Sequence, residues 1–258
     1  MRLFFLCLSF LCLAACSKKS DHTLRVGMTN GPHAEIIEYV QKRAKAEGLD
    51  LELVPFDDFI QPNVALDAGD IDVNIYQHLP FLQEQMKSRG YDFVVVGKAI
   101  TLPLGIYGAD HVTSLSTLKH GTKVLISVDP SNAARSLMLL EKAGLLTLSN
   151  HINPSVKDIQ ENPLGLKIIE VEAPLIPRLL KDDADIAVII ADWVMVSGMD
   201  ANKALFKEDA KSTYANLIVV KKGSETRADI QKLLHIYQSD DVKKFILEKF
   251  KGAILPAW

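Results

Sequence analysis

The sequence predicts an α/β protein made of two lobes with a cleft between them. Two observations carry this. Short β-rich runs alternate with helical patterns from about residue 24 to residue 250, and such alternation gives parallel-rich sheets covered by helices. The 258 residues, less an N-terminal leader, suffice for two lobes of about 100 residues each. One wide sheet satisfies the same order of elements.

Residues 24–28 form the first strand. Thr29-Asn30-Gly31 turns, Pro32 suits a first helical position, and residues 34–47 are helical with Gly48 as the stop. A strand over 49–56, a helix over 63–68 and a strand over 71–75 follow, then a helix from Pro80. Residues 91–96, 102–107 and 123–128 read as further strands. Asp129 caps the next helix, which has Pro130 at its first position and Gly144 at its end. Strands over 167–171, 185–190 and 216–220 complete the set. Helices over 227–237 and 240–250 close the chain.

The N-terminus carries its own signal. Met1-Arg2 is positive, residues 3–13 are apolar, and Leu13-Ala14-Ala15-Cys16 is a small-residue cleavage site ending on cysteine. This is the pattern of a bacterial lipoprotein signal peptide over 1–15, with Cys16 the residue to be acylated. An ordinary secretory signal with a chance cysteine is the alternative. The apolar run is too short for the ~20 residues of a membrane-spanning helix. Residues 16–23 read as a lipidated polar tether that holds the protein in the cell envelope, facing the periplasm. The other two cysteines, Cys7 and Cys12, leave with the signal, so no thiol remains for a disulfide, catalysis or metal binding.

Composition and motifs exclude several classes. A net charge of −3 with mixed signs does not fit a nucleic-acid binder. There is no G-x-S-x-G, Walker A or G-x-G-x-x-G motif, and the seven histidines show no H-x-x-x-H spacing. The sequence therefore assigns no catalytic residues, no metal and no cofactor.

Four strand-to-helix junctions carry candidate chemistry, because ligands of α/β folds sit at strand carboxyl ends near helix N-termini. The first is Thr29-Asn30-Gly31-Pro32-His33, which also suits a plain turn and cap. The second places Asn74, Tyr76, Gln77, His78 and Phe81 together, a mix suited to a pocket and equally to ordinary packing. The third is Asp129-Pro130-Ser131-Asn132-x-x-Arg135. A cation in the first turns of a helix opposes its dipole, and a guanidinium there grips a carboxylate with two parallel hydrogen bonds. Pairing with Asp129 is the alternative. The fourth is Tyr214-Ala215-Asn216, whose amide can accept from an ammonium and donate to a carboxylate.

Taken in order, these segments resemble the methionine-binding lipoproteins of ABC importers, the NlpA/MetQ-type family. The resemblance spans essentially the chain after the signal. It rests on Val26-Gly27-Met28-Thr29-Asn30-Gly31-Pro32-His33, Gln61-Pro62-Asn63-x-Ala65-Leu66, Gln77-His78-x-Pro80-Phe81-Leu82, Pro103-Leu104-Gly105-Ile106-Tyr107, Asp129-Pro130-Ser131-Asn132-x-x-Arg135, Glu161-Asn162-Pro163, Tyr214-x-Asn216-Leu217-Ile218-Val219 and the terminal Trp258.

The resemblance implies a periplasmic-binding-protein-like fold, with lobe 1 over 24–105 and 217–258 and lobe 2 over 106–216. Crossover strands over 102–107 and 214–220 would join them. It also implies that Arg135 and Asn132 hold the carboxylate of a bound amino acid and that Asn216 binds its head. Tyr76, His78 and Phe81 would form the wall. The implied partners are methionine or a similar small amino acid, an ABC permease with its ATPase, and the membrane through the lipid. Two positions depart from the family: Ile190 stands where an asparagine helps hold the ligand head, and Ile75 stands where a tyrosine is usual. Asp192 is then expected to pair with the ammonium. The alternative is a surface lipoprotein with a degenerate or altered pocket, acting in adhesion or scaffolding.

Overall fold

The computed structural model describes residues 23–209 and 214–258. The signal over 1–15 and the acylation site Cys16 lie outside the described residues.

The chain first lays down β1 (Leu24–Thr29), α1 (Pro32–Ala46), β2 (Leu51–Phe56), α2 (Gln61–Ala68), β3 (Val73–His78), α3 (Leu79–Arg89) and β4 (Phe93–Thr101). It then enters a second unit with β5 (Leu104–Gly108), β6 (Lys123–Ser127), α4 (Pro130–Lys142), β7 (Thr147–Leu148), β8 (Ile159–Glu161) and β9 (Lys167–Val171). That unit continues through α5 (Ile176–Asp182), β10 (Ile186–Ile190), α6 (Ala191–Val196) and β11 (Phe206–Lys207). The chain returns as β12 (Ala215–Lys221), α7 (Ala228–Tyr237), α8 (Asp240–Phe250) and β13 (Leu255–Pro256).

One sheet has the order β13-β4-β12-β3-β1-β2, the other β11-β5-β10-β6-β9, and β7 pairs with β8 alone. The pairs β1–β2, β1–β3, β6–β9 and β6–β10 are parallel. The pairs made by β12, by β5 and by β13 are antiparallel. Each sheet is thus parallel where a helix connects its strands and antiparallel where the chain leaves or re-enters it, because a strand arriving from the other unit needs no helical crossover.

The expected crossover strands are shorter than the sequence suggests. Leu104 already pairs with Ile190 in the second sheet, so the first crossing is only Leu102-Pro103. Asn216 to Val220 do not bridge the units; they lie between β3 and β4 in the first sheet. The reason is burial: Leu217, Ile218, Val219 and Val220 are all enclosed, which is the environment of a central strand and not of a connection.

Local chemistry explains the main boundaries. Helix α1 starts on Pro32 after Gly31, whose φ of 82° suits glycine. Ile36, Ile37, Val40 and Ala44 form its buried stripe. Helix α4 is capped by the Asp129 carboxylate, which accepts from the Asn132 amide at 2.9 Å. Helix α6 lies against the start of α1: a Cβ added at Gly31 would sit 2.6 Å from Val196. The two units therefore touch directly at this point.

Candidate ligand-binding site

The four junctions singled out from the sequence meet in one network, joined by a fifth at the end of β10. His78, the last residue of β3, accepts from the Phe81 amide through Nδ1 at 3.2 Å. Its Nε2 therefore carries the proton and donates to Asn132 Oδ1 at 3.0 Å. Asn132 Nδ2 in turn donates to the Asp129 carboxylate. This chain of bonds links the first sheet to the second. Burial and the Arg135 cation push the His78 pKa down to about 4, so the ring is neutral near pH 7.

Asn216 ties the other two junctions together. Its Nδ2 donates to the Tyr76 carbonyl and lies 2.9 Å from His33 Nε2, which accepts. Burial pushes the His33 pKa down to about 3, so this ring is also neutral. Asn216 Oδ1 is buried and has no partner among the described residues. The site thus presents a bare acceptor at this corner. Tyr214 closes the ring of contacts, its centroid 5.2 Å from that of His78 and 4.3 Å from the Arg135 guanidinium carbon.

Tyr76, His78, Phe81, Asn132, Asp192 and Asn216 line one small void of about 10 Å³, with Phe59, Gln77 and Ile190. A second void, also of about 10 Å³, shares Phe59, Asn132 and Ile190 and runs on past Ser136 and Ile176 to Trp193. Each has room for about one water molecule, so a ligand the size of an amino acid enters only when these walls move apart. Phe59, Tyr76, Phe81 and Trp193 pack with ring centroids 5.5–6.3 Å apart and give the enclosure an aromatic wall.

Asp192 is buried, and one carboxylate oxygen accepts from the Trp193 amide at 2.7 Å. Loss of hydration pushes its pKa up to about 7. A cation beside it would restore the charged form.

Arg135 differs from its expected arrangement. It is buried, does not line either void, and does not pair with Asp129. Its Nε and Nη2 instead grip both carboxylate oxygens of Glu208, and Nη2 also donates to the Leu102 carbonyl at 2.9 Å. The two-pronged edge expected to hold a ligand carboxylate is therefore engaged inside the protein. Nη1 remains, buried and without a partner among the described residues.

The two departures from the family pattern fall in different places. Ile190 lines both voids, so the missing amide is missing from the site itself. Ile75 is fully enclosed in the core and lines neither. Behind the wall, Asn63, Asn74 and Gln77 form a closed amide cluster with bonds of 2.7–3.0 Å.

Sequence reading missed Glu208, Phe59 and Trp193. Glu208 sits in a polar stretch without periodicity, and only its position beside Arg135 in space marks it. Phe59, flanked by Asp57-Asp58, carried a faint signal, an aromatic in an acidic loop. Among the described residues no cluster of His, Cys, Asp or Glu could hold a metal ion, and no helix is long and apolar enough to cross a membrane.

Two α/β units joined by two crossings, with polar and aromatic side chains meeting at their junction, define a two-lobed protein of the periplasmic-binding type. The chain belongs to the NlpA lipoprotein family, whose pattern matches residues 24–258. It is 41% identical to the D-methionine-binding lipoprotein MetQ of Salmonella typhi, over 96% of this chain and 94% of that one. Its fold matches a nutrient-binding protein of Burkholderia cenocepacia bound to methionine, with TM-score 0.87, 40% identity, and coverage of 92% and 100% of the two chains. It also matches the methionine-binding protein MetQ, with TM-score 0.88, 40% identity and coverage of 92% and 98%.

Proposed function

We propose that this protein captures a single amino acid, methionine or a related apolar one, by closing two lobes over it. It then presents the closed form to an ABC permease driven by a cytoplasmic ATPase. The lobes comprise 24–101 with 215–258, and 104–207. Lipid on Cys16 holds the protein at the periplasmic face of a membrane. The role is binding, without catalysis.

The observation that carries this reading is the polarity of the cavity. Two acceptors line the same void, Asn216 Oδ1 and the Asp192 carboxylate, and would receive an ammonium. Arg135 Nη1, on helix α4 outside the lining of both voids, has no partner among the described residues and would receive a carboxylate. Phe59, Tyr76, Phe81 and Ile190 offer an apolar wall for a side chain. The relatives named above are methionine binders, which supports the same ligand. A permease responds only to a differential interaction with open and closed forms, and the narrow crossing at Leu102-Pro103 suits hinge closure.

Ile190 supports a second reading, a pocket of altered specificity in a surface lipoprotein that serves adhesion or scaffolding. Native mass spectrometry separates the two. The chain without its signal and with C16S is purified, and bound small molecules are identified before and after unfolding. A stoichiometric mass equal to methionine supports import of methionine. Another amino acid or a dipeptide moves the specificity and keeps the mechanism. An empty protein that also ignores a panel of amino acids overturns the transport reading.

A further inference from the structure

The Arg135–Glu208 pair sits on the hinge. Four main-chain polar groups within residues 102–104 are tied to the second lobe or its exit. Leu102 O accepts from Arg135 Nη2 at 2.9 Å, and Pro103 O accepts from the Ala191 amide at 3.1 Å. The Leu104 amide donates to Glu208 Oε2 at 3.0 Å, and Leu104 O accepts from the Glu208 amide at 2.9 Å. On the other side of the crossing, Thr101 pairs with Leu255 and Ala99 O accepts from the Ala257 amide at 3.1 Å. Glu208 thus bridges the outgoing crossing and Arg135, and it stands where the return crossing begins.

The same pair sets what Arg135 can offer. Arg135 is 1% exposed, and a buried guanidinium needs a counter-charge. Glu208 supplies it along the Nε–Nη2 edge. A planar guanidinium held on one edge has fixed orientation, and the nitrogen left over is Nη1. Asn132, one turn earlier on α4, lines the void, and Tyr214 touches both Arg135 and His78.

We propose that Glu208 is a positioning residue: it aims Arg135 Nη1 at the carboxylate of the bound amino acid and makes that contact continuous with the hinge. The inference rests on the amino-acid-binding reading above. Glu208 stays on Arg135 when ligand binds, so the ligand carboxylate receives one charged donor from this arginine and not two.

The test compares methionine with methioninamide, which lacks only the charged carboxylate. Both are titrated by calorimetry into the detergent-solubilised full chain and into its E208Q variant. The unsubstituted chain prefers methionine by about 10- to 100-fold, the effect of one hydrogen bond between charged groups. In E208Q that preference falls to about threefold or less, while affinity for methioninamide changes little. Equal loss of affinity for both compounds, with the preference retained, overturns the positioning role and leaves Glu208 a structural counter-ion. An unsubstituted chain that binds neither compound overturns the amino-acid reading instead, so the two failures are distinct. If E208Q does not melt cooperatively, hydrogen exchange of the Leu104 amide in the unsubstituted chain decides. Protection equal with and without methionine supports the proposal. Protection lost on adding methionine means that the ligand displaces Glu208, and overturns it.

Discussion

His78 and Asn132 form a direct hydrogen bond between the two sheets, 3.0 Å from the end of β3 to the start of α4. The donor is fixed, because the Phe81 amide occupies the other ring nitrogen. The acceptor is fixed too, because the Asn132 amide nitrogen faces the Asp129 carboxylate. The bond is buried, so losing it leaves a ring N–H without a partner. Substitution N132A is expected to weaken ligand binding about 10- to 100-fold, equivalent to about 1–3 kcal/mol. Titration calorimetry checks this; unchanged affinity would remove the bond from the account of closure.

Asp192 gives a pH dependence with a definite sign. Its folded pKa of about 7 lies above the ordinary 3.8. In the ligand-free protein its contribution favours the folded state below about pH 4 and is lost as pH rises to about 7. D192N keeps an acceptor for the Trp193 amide and removes the charge. The variant is expected to be more stable than the parent above pH 7, by on the order of 2–4 kcal/mol. The difference vanishes near pH 4. Scanning calorimetry across this range reads it directly.

The same carboxylate acts oppositely on binding. An ammonium favours ionised Asp192, so affinity is expected to rise as pH increases toward 7, by about tenfold per unit where Asp192 is protonated in the free protein. D192N binds more weakly at pH 7.5 and loses this slope. His33 and His78, with pKa values of about 3 and 4, are neutral throughout pH 5.5–7.5 and do not contribute to it. A slope that survives in D192N assigns the titration to another group.

Ile190 replaces a polar group in the family pattern and lines both voids. I190N is expected to strengthen binding of an amino acid about 3- to 10-fold, the gain from one added hydrogen bond of about 0.5–1.5 kcal/mol. It is expected to lower the melting temperature, since a buried apolar side chain is lost. Side-by-side titrations and melts of parent and variant test both directions.

The Asn63–Asn74–Gln77 cluster supports the cavity wall from behind. N74L leaves Gln77 and Asn63 with lost partners in a buried setting. The expected cost is about 1–3 kcal/mol, or about 2–4 °C of melting temperature per kcal/mol for a chain of this size. A melt unchanged within a degree would show that the cluster adjusts without cost.

Much of this was legible in the sequence because it depends on local chemistry. Pro32, Pro80 and Pro130 mark helix starts, and apolar runs such as 217–220 mark strands. The junction residues Tyr76, His78, Phe81, Asn132 and Asn216 come together because each ends or begins such an element. The place of residues 216–220 within the first sheet, between β3 and β4, was not legible, since an apolar run does not name its neighbours. Short elements such as α6 and β11 have too few residues to show a period. Glu208 was invisible for a different reason. Its role comes from Arg135, 73 residues away in sequence, and no local pattern connects them.

The central claim is that the cavity between the sheets receives one amino acid. Titration of methionine at pH 7.5 into the chain carrying C16S, alongside its N216L variant, tests it most directly. The account predicts one methionine per chain for the parent. It predicts binding weakened at least about tenfold in N216L, where the buried acceptor is gone. Binding of equal strength in both proteins, or no binding of methionine or any other amino acid by the parent, would contradict it.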